Sequence, residues 1–294
     1  MQDARRDRDD VLLKAVTGLE GGCVANGSTC GIATGGALGI ALTYEQYLHQ
    51  DDPQADAFVI HAAGNYMDWF QKTHGTTQCR ERNQVDFQKT MGQLRYFLSI
   101  RKIVRCLQME GRALQYLTME HEAMPQVYAA PAEKTSSCKT VHCAAEVLKQ
   151  VREKTGIGNQ RLERLSMVLD GGVGLRGMLC GAAAGAVLAI NLVHGFDLRK
   201  MSYVSNIGKF ITGHINLIRK SPKRQDTFSI GKQMVNRFRE HAGSIECRFI
   251  TGKRFESMDD FGRHMENSRT CRSLIRTASD LAAEAIGQSK ASET

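Results

Sequence analysis

The stretch LDGGVGLRGMLCGAAAGAVLAI, Leu169 to Ile190, decides the fold because an earlier stretch of the chain repeats it. LEGGCVANGSTCGIATGGALGI, Leu19 to Ile40, aligns with it at an offset of 150 residues and matches it at ten of twenty-two positions. The identical positions include several glycines and one cysteine, which is Cys30 in the first copy and Cys180 in the second. Self-similarity of this length indicates a duplicated structural unit.

A second pair of matching segments follows the two copies. These segments are Gly75-x-x-x-Cys79-Arg80 and Gly243-x-x-x-Cys247-Arg248. One more cysteine follows each of them, Cys106 after 27 residues and Cys271 after 24. The first two cysteines are 49 residues apart in the first half and 67 in the second, so we predict an insertion in the second half near the basic residues 219–224.

The repeat divides the chain into two predicted modules, residues 1–123 and 141–294, with a linker at 124–140. The linker sequence MPQVYAAPAEKTSSCKT contains two of the four prolines and several small polar residues, a composition typical of loops. Its cysteine, Cys138, has no assigned role. The second module opens with a predicted helix from Cys143 to Lys154. The first module has no counterpart of this helix, and we predict that it is truncated at its N-terminus.

Composition favours a helical protein. The 294 residues include 28 Gly but only 4 Pro and 1 Trp, a mixture that favours close-packed helices over β-sandwiches. We therefore predict an all-α fold of two pseudo-repeated helical modules with Gly-rich turns leading into core helices. The apolar run from Met178 to Val193 is shorter than the roughly 20 residues of a membrane-spanning helix, and we predict a buried core helix there.

The charge pattern bears on location and partners. The start, MQDARRDRDD, is charged where a secretory signal needs an apolar run, so we expect a cytoplasmic protein without membrane association. The net charge of +8 predicts an acidic redox protein as partner, or a larger electron-transfer assembly with acidic subunits. Lys and Arg are spread along the chain, which does not favour nucleic-acid binding. The sequence does not decide whether the protein forms a homodimer.

The cysteines are the candidate functional residues. A cytoplasmic chain with an odd number of cysteines, nine, is expected to keep them as thiols for metal binding or redox chemistry. The alternative for each buried cysteine is a small apolar core residue. The repeat favours a site, with one set of four in each module. The second-module set is Cys143, Cys180, Cys247 and Cys271, and the first-module set is Cys30, Cys79 and Cys106 with Cys23 in place of the missing upstream residue.

Local pattern places these cysteines on helices. Cys30 and Cys180 stand where a Gly-rich turn leads into a helix, whose free N–H groups and dipole are expected to lower the pKa of a thiol. Cys271 belongs to the apolar stripe of a long amphipathic helix predicted from Asp259 to Ile286. Glycines four residues apart, such as Gly181 and Gly185, predict close packing of another backbone, and we expect the two repeated helices to cross at the centre.

Two further motifs have competing interpretations. Arg80 and Arg248 each follow a repeated cysteine, where they would either stabilise a thiolate or a cluster's negative charge or serve as ordinary surface residues. Gly172-x-Gly174-x-x-Gly177 fits the dinucleotide-binding fingerprint by letter. A helical pattern precedes it in place of a strand, and Val24 replaces the middle glycine in the other copy, so we reject a nucleotide site.

The second half resembles a known family. Gly177-Met-Leu-Cys180-Gly181-Ala182-Ala-Ala-Gly185, preceded by Cys143-Ala144 and followed by Gly243-x-x-x-Cys247-Arg248 and Cys271, is similar to the bacterial redox-active family named for its C…GCAxxG…C…C cysteine pattern. That family is similar in turn to a domain of split-Soret cytochromes. The resemblance implies a helical module whose four cysteines hold an iron–sulfur cluster or carry out redox chemistry. The first half departs from the pattern by lacking the upstream Cys-Ala and by having Ile32 in place of alanine.

Three functions follow as hypotheses. The first is an electron-transfer protein that holds a [2Fe–2S] or [4Fe–4S] cluster through the four thiolates of the second module. In the first module the candidate ligands of such a cluster are Cys30, Cys79, Cys106 and Cys23. The second is a thiol–disulfide oxidoreductase. The third is a structural zinc site, or an interaction module without redox activity. No acid–base pair or substrate-binding loop is evident, so the sequence does not decide whether the protein is an enzyme.

Overall fold

The computed structural model describes residues 8–48, 52–119, 140–219 and 227–292. Within these ranges the chain forms α-helices, two short 3-10 helices and no β-strand beyond isolated bridges, which confirms the all-α prediction. The helices of the first half are α1 (Asp10–Val16), α2 (Gly31–Thr43), α3 (Pro53–His74), α4 (Cys79–Asn83), α5 (Thr90–Phe97) and α6 (Ile100–Met119). Those of the second half are α7 (Cys143–Thr155), α8 (Gln160–Leu165), α9 (Gly181–His194), α10 (Tyr203–Arg219), α11 (Thr227–Ala242), α12 (Cys247–Thr251), α13 (Met258–Asn267) and α14 (Arg269–Ser292). The 3-10 helices are Thr17–Leu19 and Ser166–Leu169.

The two halves repeat the same order of elements. Helices α1 to α6 correspond to α8, α9, α11, α12, α13 and α14. One 3-10 helix lies between α1 and α2, and the other lies between their counterparts α8 and α9. Among the described residues, α7 and α10 have no counterpart in the first half. Helix α10 ends at the start of the basic stretch near which we predicted an insertion, while residues 220–226 lie outside the described ranges. Most of the predicted linker, including Cys138, also lies outside them.

Equivalent capping residues begin the first helix of each repeat. The Asp9 carboxylate accepts hydrogen bonds from the amides of Val11 and Leu12, both at 3.0 Å. Asn159, at the position equivalent to Asp9, accepts one from the amide of Leu162 at 2.8 Å. A side-chain acceptor at this position satisfies amides that have no partner within the helix. The two halves therefore share local start signals as well as the glycine and cysteine pattern.

The prediction of one long helix from Asp259 to Ile286 is wrong in one respect, because two helices occupy this segment. Helix α13 ends at Asn267, and Ser268 adopts an extended conformation with φ −80° and ψ 103°. The Ser268 hydroxyl then accepts a hydrogen bond from the amide of Cys271 at 3.1 Å, within the first turn of α14. The apolar periodicity continues across the break, which is why it did not reveal the break. The serine fixes the direction in which α14 leaves and thereby positions Cys271.

One hydrophobic core extends across both modules. The backbones of the two modules approach each other closely at Gly174, with φ +60°, and Gly64 of α3. A Cβ added to Gly174 would lie 2.3 Å from the amide nitrogen of Gly64. The middle glycine of the dinucleotide-like motif therefore serves packing between the modules. In the other copy Val24 occupies this position and packs against Gly231 of α11.

The glycine face of α9 packs against α7. A Cβ added to Gly185 would lie 2.7 Å from the carbonyl oxygen of Ala144, so the two backbones are in contact there. The expectation that α2 and α9 cross through their glycine faces is wrong, since α7 occupies that face of α9. In α2 the equivalent Gly35 is exposed, and no atom lies within 4 Å of where its Cβ would be.

None of the described helices combines the length and the apolar character needed to cross a lipid bilayer.

Candidate functional site

Four cysteines from four separate helices line one cavity in the second module. Cys143 begins α7, Cys180 immediately precedes α9, Cys247 begins α12, and Cys271 is the third residue of α14. They span 128 positions from Cys143 to Cys271, so only the tertiary fold brings them together. These are the four cysteines predicted as the second-module set, and the structure places all of them at the same cavity.

Short backbone contacts hold two of the cysteines in place. The amide of Cys180 donates to the carbonyl of Ile245 at 2.8 Å, and the amide of Cys247 donates to the carbonyl of Met178 at 2.6 Å. Leu179, which precedes Cys180, and Glu246, which precedes Cys247, form an isolated antiparallel β-bridge. The same bridge joins Thr29 and Gln78 in the first module, so the duplicated fold positions both cysteine pairs in one way.

An unusual turn precedes the Cys180 position. Gly171, Gly172, Val173, Gly174 and Leu175 are five successive residues with positive φ. Non-glycine residues in this conformation cost roughly 1–2 kcal/mol each, so the surrounding structure must enforce it. A Cβ added to Gly172 would lie 2.7 Å from the Cβ of Cys247, and glycine is required there for the turn to approach the cavity.

A buried carboxylate fixes the start of α7. Asp170 accepts a hydrogen bond from the amide of Cys143 at 2.8 Å and lies 2.6 Å from Nδ1 of His142. Burial alone would lower the pKa of His142, but the charge and hydrogen bond of Asp170 outweigh it and raise that pKa. Sequence analysis missed this pair. Asp170 lies in the repeated glycine-rich stretch, which was interpreted only from its glycines and its cysteine.

The cavity wall is almost entirely apolar apart from the sulfur atoms. It includes Ile250, Phe255, Phe261, Leu274 and Ile275. Two further side chains, both from α13, contact the thiols. Nε2 of His264 lies 3.5 Å from Sγ of Cys271, and the thioether sulfur of Met265 lies 3.9 Å from Sγ of Cys143. Sequence analysis did not identify these contacts, since it treated α13 and α14 as one helix.

Burial determines the protonation of the four thiols. It raises the pKa of Cys143 and Cys247 well above the ordinary value, raises that of Cys271, and raises that of Cys180 to about 11. The backbone amides of Ala183 and Ala182 act on Cys180 in the opposite direction, as expected at a helix N-terminus. The prediction of a lowered pKa at this position is therefore wrong in its net result, because desolvation exceeds the effect of the helix amides. The pKa of Cys30 is raised for the same reason.

Three first-module cysteines also form a group. Cys30 precedes α2, Cys79 begins α4 and Cys106 lies in α6. The charge of a deprotonated Cys106 would raise the pKa of both Cys30 and Cys79, and that of Cys30 would raise the pKa of Cys79. Asn83 Nδ2 lies 3.5 Å from Sγ of Cys79, and the hydroxyl of Tyr96 lies 3.4 Å from Sγ of Cys106. The site is more polar than that of the second module.

Cys23 has different charged neighbours from the other first-module cysteines. After burial, which raises its pKa to about 12, the groups acting most strongly on Cys23 are Arg239, Glu20, Cys180 and Lys232. Cys23 has a positive φ of 69° and lies in the left-handed turn before α2. Its role as a substitute for the missing upstream cysteine stays a prediction, although none of the other first-module cysteines is among these groups. The fold directs this residue toward the second module.

The two predicted arginines pair with a carboxylate between the modules. Nη2 of Arg80 lies 3.1 Å from Oε1 of Glu246, and Nη2 of Arg248 lies 3.2 Å from Oε2 of the same buried side chain. Sequence analysis missed a third arginine, Arg82, whose charge is affected by the first-module thiols. Arg82 is buried, and the thiols of Cys30, Cys106 and Cys79 all act on its charge.

Within the described residues, no three His, Cys, Asp or Glu side chains come close enough together to hold a single metal ion. All eight cysteines in this part of the chain are free thiols. The second-module cysteines therefore line one cavity without converging on a single metal position.

The fold and the site define an all-α protein made of two cysteine-bearing modules. Residues 1–119 and 141–285 both match the model of the family described as "Putative redox-active protein (C_GCAxxG_C_C)". The chain belongs to this family, and the two matched segments are consistent with the tandem duplication. Comparisons with curated proteins and with solved structures gave no match.

Proposed function

We propose that the second module holds an iron–sulfur cluster through Cys143, Cys180, Cys247 and Cys271 and that the protein transfers electrons. The observation that supports this most is the position of these four thiols, which come from four helices and line one cavity. A cluster bound there would supply one-electron redox chemistry. Membership of a redox-active family is consistent with this function.

The protein's own groups fit this cofactor. The amides of Ala182 and Ala183 at the start of α9 point to the sulfur of Cys180 and favour its negative charge. The apolar wall excludes water, and Asp170 holds the amide of Cys143 in place. Hydrogen bonds to the ligand sulfur atoms and exclusion of solvent are the means by which a protein adjusts the potential of such a cluster.

A mononuclear zinc site is less well supported. Zinc with four thiolates at about 2.3 Å requires the sulfur atoms to meet around one point. No group of His, Cys, Asp or Glu in the described residues meets this condition. The distribution of the thiols around a cavity favours the polynuclear alternative.

Thiol–disulfide exchange is also less well supported. The attacking group in that reaction is a thiolate, and reactive cysteines usually have lowered pKa values and some exposure. Burial instead raises the pKa of all four second-module thiols. Bound iron would overcome this desolvation by stabilising the thiolates directly.

Docking to an acidic partner is part of the proposal. Helix α12 begins with Cys247 and carries Arg248 and Phe249 beside it, with Arg248 stacked over the Phe249 ring at 4.8 Å. Phe249 is 63% exposed although it is a large apolar residue. An exposed aromatic residue next to a basic one, close to a cluster ligand, suits a transient contact with an acidic redox protein or a larger electron-transfer assembly. Higher ionic strength should weaken this contact.

Matched cysteine variants test the cluster. Protein purified anaerobically should show a visible absorption band that dithionite bleaches. Cys180→Ser should lower this band strongly, whereas Cys23→Ser should leave it unchanged, because Cys23 is equally buried but does not line the second-module cavity. Equal loss in both variants would indicate that general destabilisation causes the effect. An unchanged band in Cys180→Ser would contradict the assignment of the ligand.

A further inference from the structure

The first-module site differs from the second in the residues around its sulfur atoms. Counting from Cys79 and Cys247, Arg82 occupies the position of Ile250, and Asn83 that of Thr251. Counting back from Cys106 and Cys271, Tyr96 occupies the position of Phe261. An arginine, an amide and a phenol thus replace two apolar side chains and a hydroxyl, and no cysteine in the described residues replaces Cys143.

Arg82 is a buried cation without a carboxylate partner. It is 7% exposed, its guanidinium lies 4.9 Å from the Phe70 ring centroid, and it donates to the thioether of Met109 and the carbonyl oxygen of Thr76. Its Nε has no hydrogen-bond partner. No ion pair involving Arg82 occurs in the described part of the chain. A buried cation that no carboxylate neutralises is unfavourable, so this site is suited to receive negative charge.

Among the described residues, one side of the first-module site is open where the second-module site is closed. In the second module, α7 covers Gly181 and Gly185 and brings Cys143 to the cavity. In the first module, Gly31 and Ile32 are half-buried and Gly35 is exposed, and no helix among the described residues covers them. A ligand from solution could approach from the direction that Cys143 occupies in the second module.

We propose that Cys30, Cys79 and Cys106 hold a second, anionic iron–sulfur cluster, that Arg82 balances its charge, and that one iron without a cysteine ligand binds a small exogenous donor. This inference rests on the proposed function, since it assumes that the protein incorporates iron–sulfur clusters. The two sites then have different tasks. The second, with four cysteines and apolar walls, transfers electrons, and the first, with three cysteines and an open side, binds a small anionic ligand such as a thiolate or a carboxylate.

Removal of the second site isolates the first. In full-length protein with Cys143→Ser and Cys180→Ser, the iron content should fall to about half the wild-type value because one site of two remains. The dithionite-reduced variant should give an electron paramagnetic resonance signal that changes when potassium cyanide is added. Additional Arg82→Leu should remove the remaining iron, whereas Arg82→Lys should retain it because it keeps the positive charge.

The complementary variant is a control for iron loss caused by misfolding. Protein with Cys30→Ser and Cys106→Ser should also keep about half of the iron, and its signal should not respond to cyanide. Circular dichroism would check that both variants remain helical.

Several results would overturn the inference. The first site would hold no cluster if the Cys143→Ser, Cys180→Ser variant contained no iron while the Cys30→Ser, Cys106→Ser variant contained as much iron as the wild type. That result would leave the proposed function intact. A signal indifferent to cyanide, or loss of first-site iron in Cys138→Ser, would show that the fourth position is already occupied by protein. Wild-type protein without iron would overturn both proposals.

Discussion

The hydroxyl of Thr29 accepts a hydrogen bond from the backbone amide of Leu179 at 2.9 Å. The two residues are equivalent in the repeat and precede Cys30 and Cys180, respectively. The contact is buried and joins the modules where their cysteine-bearing turns meet. The two candidate sites therefore lie on either side of one shared contact, and a change there should affect both modules.

Thr29→Val tests this contact. Valine has nearly the same shape but leaves the buried Leu179 amide without its acceptor, which should lower the free energy of unfolding by about 1–3 kcal/mol. Chemical denaturation followed by circular dichroism measures this change. The matched control is Thr118→Val, because the exposed Thr118 hydroxyl bonds only to carbonyl groups of its own helix. Equal effects of the two substitutions would show that the inter-module bond contributes nothing.

Two equivalent glycines should respond to alanine with opposite signs. Gly35→Ala should raise the free energy of unfolding by about 0.5–1 kcal/mol, because the position is exposed and alanine favours the helix. Gly185→Ala should lower it, since the new Cβ would lie 2.7 Å from the carbonyl oxygen of Ala144 and force α7 away from α9. The same denaturation measurement compares the two variants. A stabilised Gly185→Ala protein would show that α7 does not pack there.

Lys232 should give a pH-dependent contribution to stability. Burial lowers its pKa to about 8 from 10.5 in the unfolded chain. Between these values the unfolded chain binds more protons than the folded one, so the contribution of Lys232 to the free energy of unfolding rises with pH. The free energy of wild type minus that of Lys232→Met should increase by about 2–3 kcal/mol from pH 8 to pH 10.5. The difference removes the titration of cysteines and tyrosines shared by both proteins, and a constant difference would contradict the lowered pKa.

Ser268→Ala should affect both stability and the position of a predicted ligand. Loss of the hydroxyl that accepts from the Cys271 amide should cost about 1 kcal/mol, the usual value for a helix cap. Iron retention in Ser268→Ala should fall relative to Ser257→Ala, which removes the equivalent cap of α13 without touching a cysteine. Iron analysis after dialysis against a chelator measures the difference. Equal retention would mean that the break before α14 does not position Cys271.

Sequence alone predicted the helical class, the repeat and the second-module cysteine set, because glycines and cysteines at repeated spacings carry this information directly. It could not predict the break at Ser268, since apolar periodicity continues through it. It could not predict the charged neighbours of Cys23, because the surroundings of a turn residue depend on how the modules pack. The pKa of Cys180 depends on depth of burial, and the role proposed for Arg82 depends on the burial of its side chain, which only the fold shows.

The most direct test of the central claim is metal and acid-labile sulfide analysis of anaerobically purified full-length protein, together with its absorption spectrum. We predict iron and sulfide in comparable amounts, with a visible band that dithionite bleaches. Colourless, iron-free protein from such a preparation would contradict the cluster. Its zinc content would then distinguish a structural metal site from free thiols.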